Sequence, residues 1–187
     1  MENSNEFDND YDIKMQIVAA LADLMKSSPL EKITVKSICD RAGISRTTFY
    51  NHFKDKYDVI QWHALLIAKI SIYQGGRTMS LHDAYTKNFN EMLKYRDFYV
   101  TTYRSKKFSD ARKNIVEARR QSILQTIKDY KHVEPSESLM FKIDYVSNAE
   151  PEMVANWIID GMVTPVDTMV DLLLEVLPKD LRKLMDL

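Results

Sequence analysis

The chain has 187 residues, 45% of them hydrophobic, with a formal net charge of -1 at pH 7. That length and composition allow a packed core, and the near-neutral balance weighs against a polycation that coats nucleic acid without regard to sequence. One cysteine, Cys39, excludes an internal disulfide or a multi-cysteine metal site and fits a reducing cytoplasm, no apolar run approaches the roughly 18 residues of a membrane span, and the acidic start is unlike a secretory signal.

Residues 1–10 hold Glu2, Glu6, Asp8 and Asp10 and no Lys or Arg, and are expected as a disordered polar tail. From Tyr11, the spacing of Ile13, Ile17, Ala20, Leu21, Leu24 and Met25 predicts an amphipathic helix that ends near Ser27-Ser28-Pro29. Thr34 is placed to cap a second helix, with Val35, Ile38, Cys39 and Ala42 on one face and Gly43 as its stop. Ser45 is placed to cap a third, in which Phe49 and Phe53 are four apart. A fourth helix is expected from about Tyr57 to Ile72, and Gly75-Gly76 then punctuates the chain. Five more are expected at about 80–94, 96–105, 109–130, 137–163 and 166–186, with Ser109 capping the third of these and Pro165 and Pro178 limiting the last two. The polar stretch 131–151 should open as a loop. The fold class is all-α: a helix-turn-helix domain over 11–56 and a larger helical domain over 57–187.

Residues 34–53, TVKSICDRAGISRTTFYNHF, are two short helices meeting at a glycine turn. In a helix-turn-helix, the N-terminal residues of the second helix touch base edges in the major groove. Here these are Ser45, Arg46, Thr47 and Thr48, all able to hydrogen-bond. Arg46 suits guanine, and a threonine suits thymine. Tyr50, His52, Lys54 and Lys56 lie further along and suit phosphates, as do the amide end of helix two at Thr34 and the nearby Lys36. From Leu30 to Lys56, cations outnumber anions six to three.

The string AGISRTTFYNHFKDKYDVI resembles the signature of the TetR family of regulators: a glycine turn, small polar reading residues, an aromatic-Tyr pair, His-Phe and a following Lys. The resemblance covers about 11–72. It implies base reading by Arg46, Thr47 and Thr48 and backbone contact by Tyr50, His52 and Lys56. Asn51, also placed among the backbone contacts, stands where the family often carries a bulkier or aromatic residue. It further implies a palindromic double-stranded operator, a homodimer, a small-molecule effector in the C-terminal domain, and repression as the default. Some relatives with a short C-terminal domain instead activate by contacting a protein, so a protein partner stays an alternative.

The run WIIDGMVTPVDTMVDLLLEVLP (157–178) is similar to the end of that short domain, whose last two helices pair with their twins. Met162, Val166, Met169, Val170, Leu172, Leu173, Val176 and Leu177 also offer more apolar surface than a lone terminal helix needs, so they are taken as the dimer interface. An effector pocket is expected among Phe89, Met92, Tyr95, Tyr99, Tyr103, Phe141, Tyr145 and Trp157, with Phe98, Phe108 and Met140 as further candidates. Residue by residue, such side chains at helical spacing more often form core. The run Arg104, Lys106, Lys107, Arg112, Lys113, Arg119 and Arg120 reads as a solvated face balanced by Asp110 and Glu117. No catalytic chemistry, metal or cofactor is expected: His52, His63, His82 and His132 are scattered, Cys39 falls on an apolar stripe, and no phosphate-cradling glycine loop occurs.

Overall fold

The computed structural model describes residues 3–105, 108 and 113–186, with side chains described from Asp10 onward except at Lys113. Among the described residues, every regular element is helical. The first helix, α1 (Asn3–Met25), begins two turns earlier than the apolar pattern predicts. At the end of the extra turns, Asp10 pairs with Lys14 at 2.7 Å and with His52 Nδ1 at 2.8 Å. The last residue of the stretch expected as a tail is therefore joined to the reading head.

The next three helices form as their caps dictate. In α2 (Val35–Ala42), the Thr34 hydroxyl accepts from Ser37 N, and the Ser37 hydroxyl accepts from Thr34 N, each at 3.1 Å. Gly43 ends α2 at φ 67°, which costs a residue without Cβ little. Gln16 of α1 donates to the freed carbonyl of Ala42 at 2.6 Å. Ser45 caps α3 (Arg46–His52) by accepting from Thr48 N at 3.0 Å. Asp55 caps α4 (Lys56–Ile70) through Tyr57 N and Asp58 N.

After a 3-10 turn at Ile72–Gln74 come α5 (Leu81–Lys94), α6 (Arg96–Tyr103) and α7 (Lys113–Gln125). A π-helical turn, Thr126–Tyr130, extends α7. The expected cap at Ser109 lies outside the described residues. Ser136 caps α8 (Glu137–Ile159), which carries Pro151 within it. It stops four residues before the expected 163, because Gly161 and Met162 both take positive φ. The predicted helix 166–186 is two helices, α9 (Val166–Val176) and α10 (Lys179–Met185). Pro178 drives Leu177 out of the helical region, to ψ 133°. A Cβ on Gly76 would stand 2.6 Å from the Met185 carbonyl oxygen, so the Gly75-Gly76 turn is where α10 docks.

Within the basic run at 104–120, three described side chains have specific partners, and Arg119 is buried rather than solvated. Arg104 donates twice to the Ile159 carbonyl, at 2.9 and 2.7 Å, and Arg96 donates to Gly161 O at 2.9 Å. Both cations thus stand at the carbonyl end of α8, where the helix dipole favours them. Arg120 pairs with Asp144, and Arg119 is buried against Glu150. Lys106, Lys107 and Arg112 lie outside the described residues.

His63 of α4 links the two domains. It is buried, its Nδ1 lies 2.9 Å from the Tyr99 hydroxyl of α6, and the rings of Tyr95 and Phe98 meet it edge-on. Burial lowers its pKa from 6.5 to about 4, so it is neutral when folded. The unfolded chain takes up a proton below pH 6.5 that the folded chain refuses until about pH 4. Stability from this residue is complete above pH 6.5 and is lost over that window, by about 3 kcal/mol. Denaturation of wild type and His63→Gln at pH 7 and pH 4.5 checks this: the variant should lose less than wild type on acidification, and equal losses would assign the acid sensitivity elsewhere.

Candidate functional site

The reading edge is presented to solvent. Phe49 is fully buried and Phe53 nearly so, and Phe53 meets Trp62 of α4 with ring centroids 5.8 Å apart. Those two side chains fix the roll of α3 and turn Ser45, Arg46, Thr47 and Asn51 outward. Thr48 is half-buried, its hydroxyl 2.8 Å from Ser45 Oγ, so these two polar groups belong first to the cap. Arg46 stacks over the half-exposed Tyr50, with its guanidinium 5.9 Å from the ring centroid. That contact limits the rotamers of an otherwise free side chain and holds it along the helix face. Thr34 and Lys36 are exposed at the start of α2, with Lys36 paired to Asp40 at 2.7 Å. A surface pair of this kind is weak enough to exchange for a phosphate.

Two expected backbone contacts are otherwise engaged. His52 is committed to Asp10 and mostly covered. Lys56 turns inward: its ammonium donates to Leu30 O and Ile33 O at 2.6 Å and to Glu31 O at 3.3 Å. These are carbonyls of the α1–α2 connection, where Leu30 O also accepts from Ile33 N at 3.2 Å in a 3-10 turn, and a lysine supplies three donors from one point. Lys56→Met should therefore cost about 2–3 kcal/mol of stability, the value of hydrogen bonds from a charged donor. The salt dependence of DNA binding should stay unchanged. Denaturant unfolding and a salt titration of DNA affinity read the two quantities, and a shallower salt slope at unchanged stability would restore Lys56 to the phosphate contacts.

The C-terminal domain holds a partly open cavity of about 120 Å³. Its walls include Ala64, Leu65 and Ala68 of α4, Tyr85, Asn88, Phe89 and Met92 of α5, Tyr103 of α6, Ile115, Val116 and Arg119 of α7, and Glu150 to Glu152 and Val154 of α8. Of the eight residues expected there, Phe89, Met92 and Tyr103 line it. Tyr99 is fully buried against His63, and Tyr95 packs on the same imidazole. Trp157 is buried and donates to Thr164 O at 2.9 Å. Phe141 and Tyr145 face solvent, 74% and 60% exposed, because α8 turns Leu139, Ile143, Val146 and Ser147 inward. Among the further candidates, Phe98 and Phe108 are core and Met140 is half-buried.

Tyr85 and Glu150 are not singled out by the sequence, and Arg119 reads there as part of a solvated face. Arg119 and Glu150 are 31 positions apart and meet only once α7 and α8 pack. Burial penalises the Arg119 charge, but the Glu150 carboxylate outweighs it and holds the guanidinium protonated, its pKa above the ordinary arginine value. Among the described residues, no group of three His, Cys, Asp or Glu side chains is placed to hold a metal ion. No helix there is long and apolar enough to cross a membrane.

Residues 17–61 match the profile of bacterial regulatory proteins of the tetR family, and residues 80–179 match that of a transcriptional regulator C-terminal region. The chain belongs to the TetR family. It is a transcriptional regulator with a DNA-binding helix-turn-helix domain and an all-helical body. No curated protein matches it. Among solved structures, the fold is similar to that of the dihydroxyacetone kinase operon activator DhaS, with TM-score 0.64, 20% identity, and 94% of this chain and 98% of the other covered. It is also similar to a tetR-family transcriptional regulator from Streptomyces coelicolor, with TM-score 0.55, 16% identity, and 91% and 88% covered.

In this TetR-family chain, most of the apolar stripe expected at a dimer interface is spent inside the subunit. Met162, Met169, Val170, Leu173 and Leu177 are buried, and Val166 is half-buried. Val176 remains 69% exposed, Leu172 51%, Val163 76% and Met153 of α8 50%. Those four edge a groove between α8 and α9, with Trp157, Met169 and Leu173 along its sides. Helical spacing marks the stripe as apolar but does not say which half a neighbouring helix has already covered; α9 packs on α5, and that contact takes the inner half.

Proposed function

We propose that the chain is a sequence-specific repressor that binds a palindromic operator as a homodimer and lets go when a small effector enters the C-terminal cavity. The observation that carries this reading is the capped, outward-facing edge at Ser45 to Thr47, backed by Phe49 and Phe53. Arg46 reads a base, with Thr47 beside it. Thr34, Lys36, Tyr50 and Asn51 hold the backbone, and the bacterial cytoplasm is where such a regulator works. The groove between α8 and α9 pairs with its twin across a two-fold axis. Two reading helices then lie one DNA turn apart, or a multiple of it.

Release runs through α4. Its first half packs Val59 and Ile60 into the reading head, and its second half forms one wall of the cavity. A ligand that fits only one setting of α4 shifts the spacing of the two heads by its differential affinity. Selection of bound DNA from a random pool tests the reading and should return a two-fold symmetric site. On that site, Arg46→Ala should lose about 1–3 kcal/mol at one base pair of each half-site and relax the preference there. Unchanged affinity and footprint would remove Arg46 as a reader.

A second reading is an activator governed by a protein partner. The solid packing around Tyr99 and Trp157 favours it, as does the similarity in fold to a protein named as an operon activator. Transcription assays on the selected site separate the two readings by the sign of the response.

A further inference from the structure

Arg119 is 5% exposed, and two of its three guanidinium nitrogens have partners. Nε donates to the two Glu150 oxygens at 2.9 and 3.1 Å, and Nη2 donates to Glu150 Oε2 at 3.0 Å and to the Tyr85 hydroxyl at 3.3 Å. Nη1 is buried with no partner. A native fold seldom leaves a charged donor unsatisfied unless something arrives to satisfy it. Arg119, Glu150 and Tyr85 all belong to the wall of the cavity.

We infer that the cavity takes a small, neutral, mostly apolar molecule with one carbonyl-type acceptor, which receives a hydrogen bond from Arg119 Nη1. This rests on the effector reading above. The rest of the wall, including Ala64, Ala68, Phe89, Met92 and Val154, selects a hydrocarbon body. The volume of about 120 Å³ suits a body of roughly one six-membered ring, since a cavity of about 150 Å³ holds benzene. Charge selects the head group. Glu150 already neutralises the guanidinium, so a carboxylate ligand would bury a second anion beside Glu150 without a counter-ion, whereas a ketone, aldehyde or amide oxygen adds no charge. Asn88 on the same wall offers its amide nitrogen, which donates only weakly, to Met92 Sδ at 3.7 Å, and can turn to the same oxygen.

The test titrates the full chain with cyclohexanone, methylenecyclohexane and cyclohexanecarboxylate by calorimetry, and follows the guanidinium nitrogens by NMR. Cyclohexanone should bind about tenfold to a hundredfold more tightly than its hydrocarbon isostere, the increment of a hydrogen bond from a charged donor. It alone should move the Arg119 Nη resonances. In the double variant Arg119→Met/Glu150→Leu, which replaces the pair at similar volume, the preference should vanish while the hydrocarbon still binds. Equal affinity of ketone and hydrocarbon in wild type would overturn the inference and leave an apolar effector in place. Tighter binding of the carboxylate would overturn the neutral class alone. Failure of all three probes to bind, in wild type and variant alike, would overturn the effector reading with it. The wild-type resonances decide the matter even where the double variant does not fold.

Discussion

Leu172→Asp combined with Val176→Asp should turn the protein into a folded monomer and cut operator affinity by about a thousandfold or more. Both side chains are more than half exposed in the single chain, so the aspartates stay hydrated in the monomer and the subunit keeps its core. In a dimer, the same positions would carry two buried charges per subunit without partners, several kcal/mol of desolvation each. Apolar burial forfeited at the interface is worth about 25 cal/mol per Å², and a stable interface buries about 1,200–2,000 Å² in all. DNA affinity follows, because one reading head buries too little surface to gain more than its non-specific share, and the gap between specific and non-specific binding is about 10³ or greater. Sedimentation and DNA titration measure the two effects together. A variant that sediments as wild type and still holds the operator would place the dimer contact elsewhere.

The reading head was legible because its determinants are local. Thr34, Gly43 and Ser45 act through hydrogen bonds and φ angles within four residues of themselves, and Phe49 and Phe53 are one helical turn apart. Such features survive any tertiary arrangement. Lys56 shows where locality ends. A lysine four residues beyond the reading helix looks like a phosphate contact, yet its three acceptors are carbonyls at Leu30, Glu31 and Ile33, more than twenty positions back. The same holds for His52 and Asp10, which are 42 positions apart.

The body was legible only as a count of helices. Pro178 signals a break, but the sequence does not say whether the chain resumes as helix, and it does so at Lys179. On α8, Phe141 and Tyr145 are four apart and aromatic, as pocket residues are, and face outward because Leu139 and Ile143 hold the inner face. Periodicity assigns residues to one stripe; only packing decides which stripe is inside. Arg119, read with its neighbours as part of a solvated face, is buried for a related reason: it finds Glu150, as Arg104 finds the end of α8, only in three dimensions.

Glu150→Ala should destabilise the fold by about 3–5 kcal/mol, the cost of leaving a buried charge without its partner. The pair is deep, with the Arg119 and Glu150 side chains 6% and 10% exposed, and it joins α7 to α8 beside the cavity. Arg119 cannot shed its proton, so the variant has to admit water or shift α7 to rehydrate the guanidinium. The Tyr85 hydroxyl, at 3.3 Å, is the one neutral group left to it. Replacing both residues, by Arg119→Met with Glu150→Leu, removes charge and desolvation cost together and should return most of the loss or exceed it. Chemical denaturation of the two variants measures the difference. A single variant within about 1 kcal/mol of wild type would mean that the pair is already hydrated, and hence that the site beside the cavity is wetter than its walls imply. If the single variant falls and the double variant recovers, the ion pair is not what holds the subunit together. Its retention in a cavity wall then has to be explained by recognition rather than stability, which is the role assigned to the unpartnered Arg119 nitrogen.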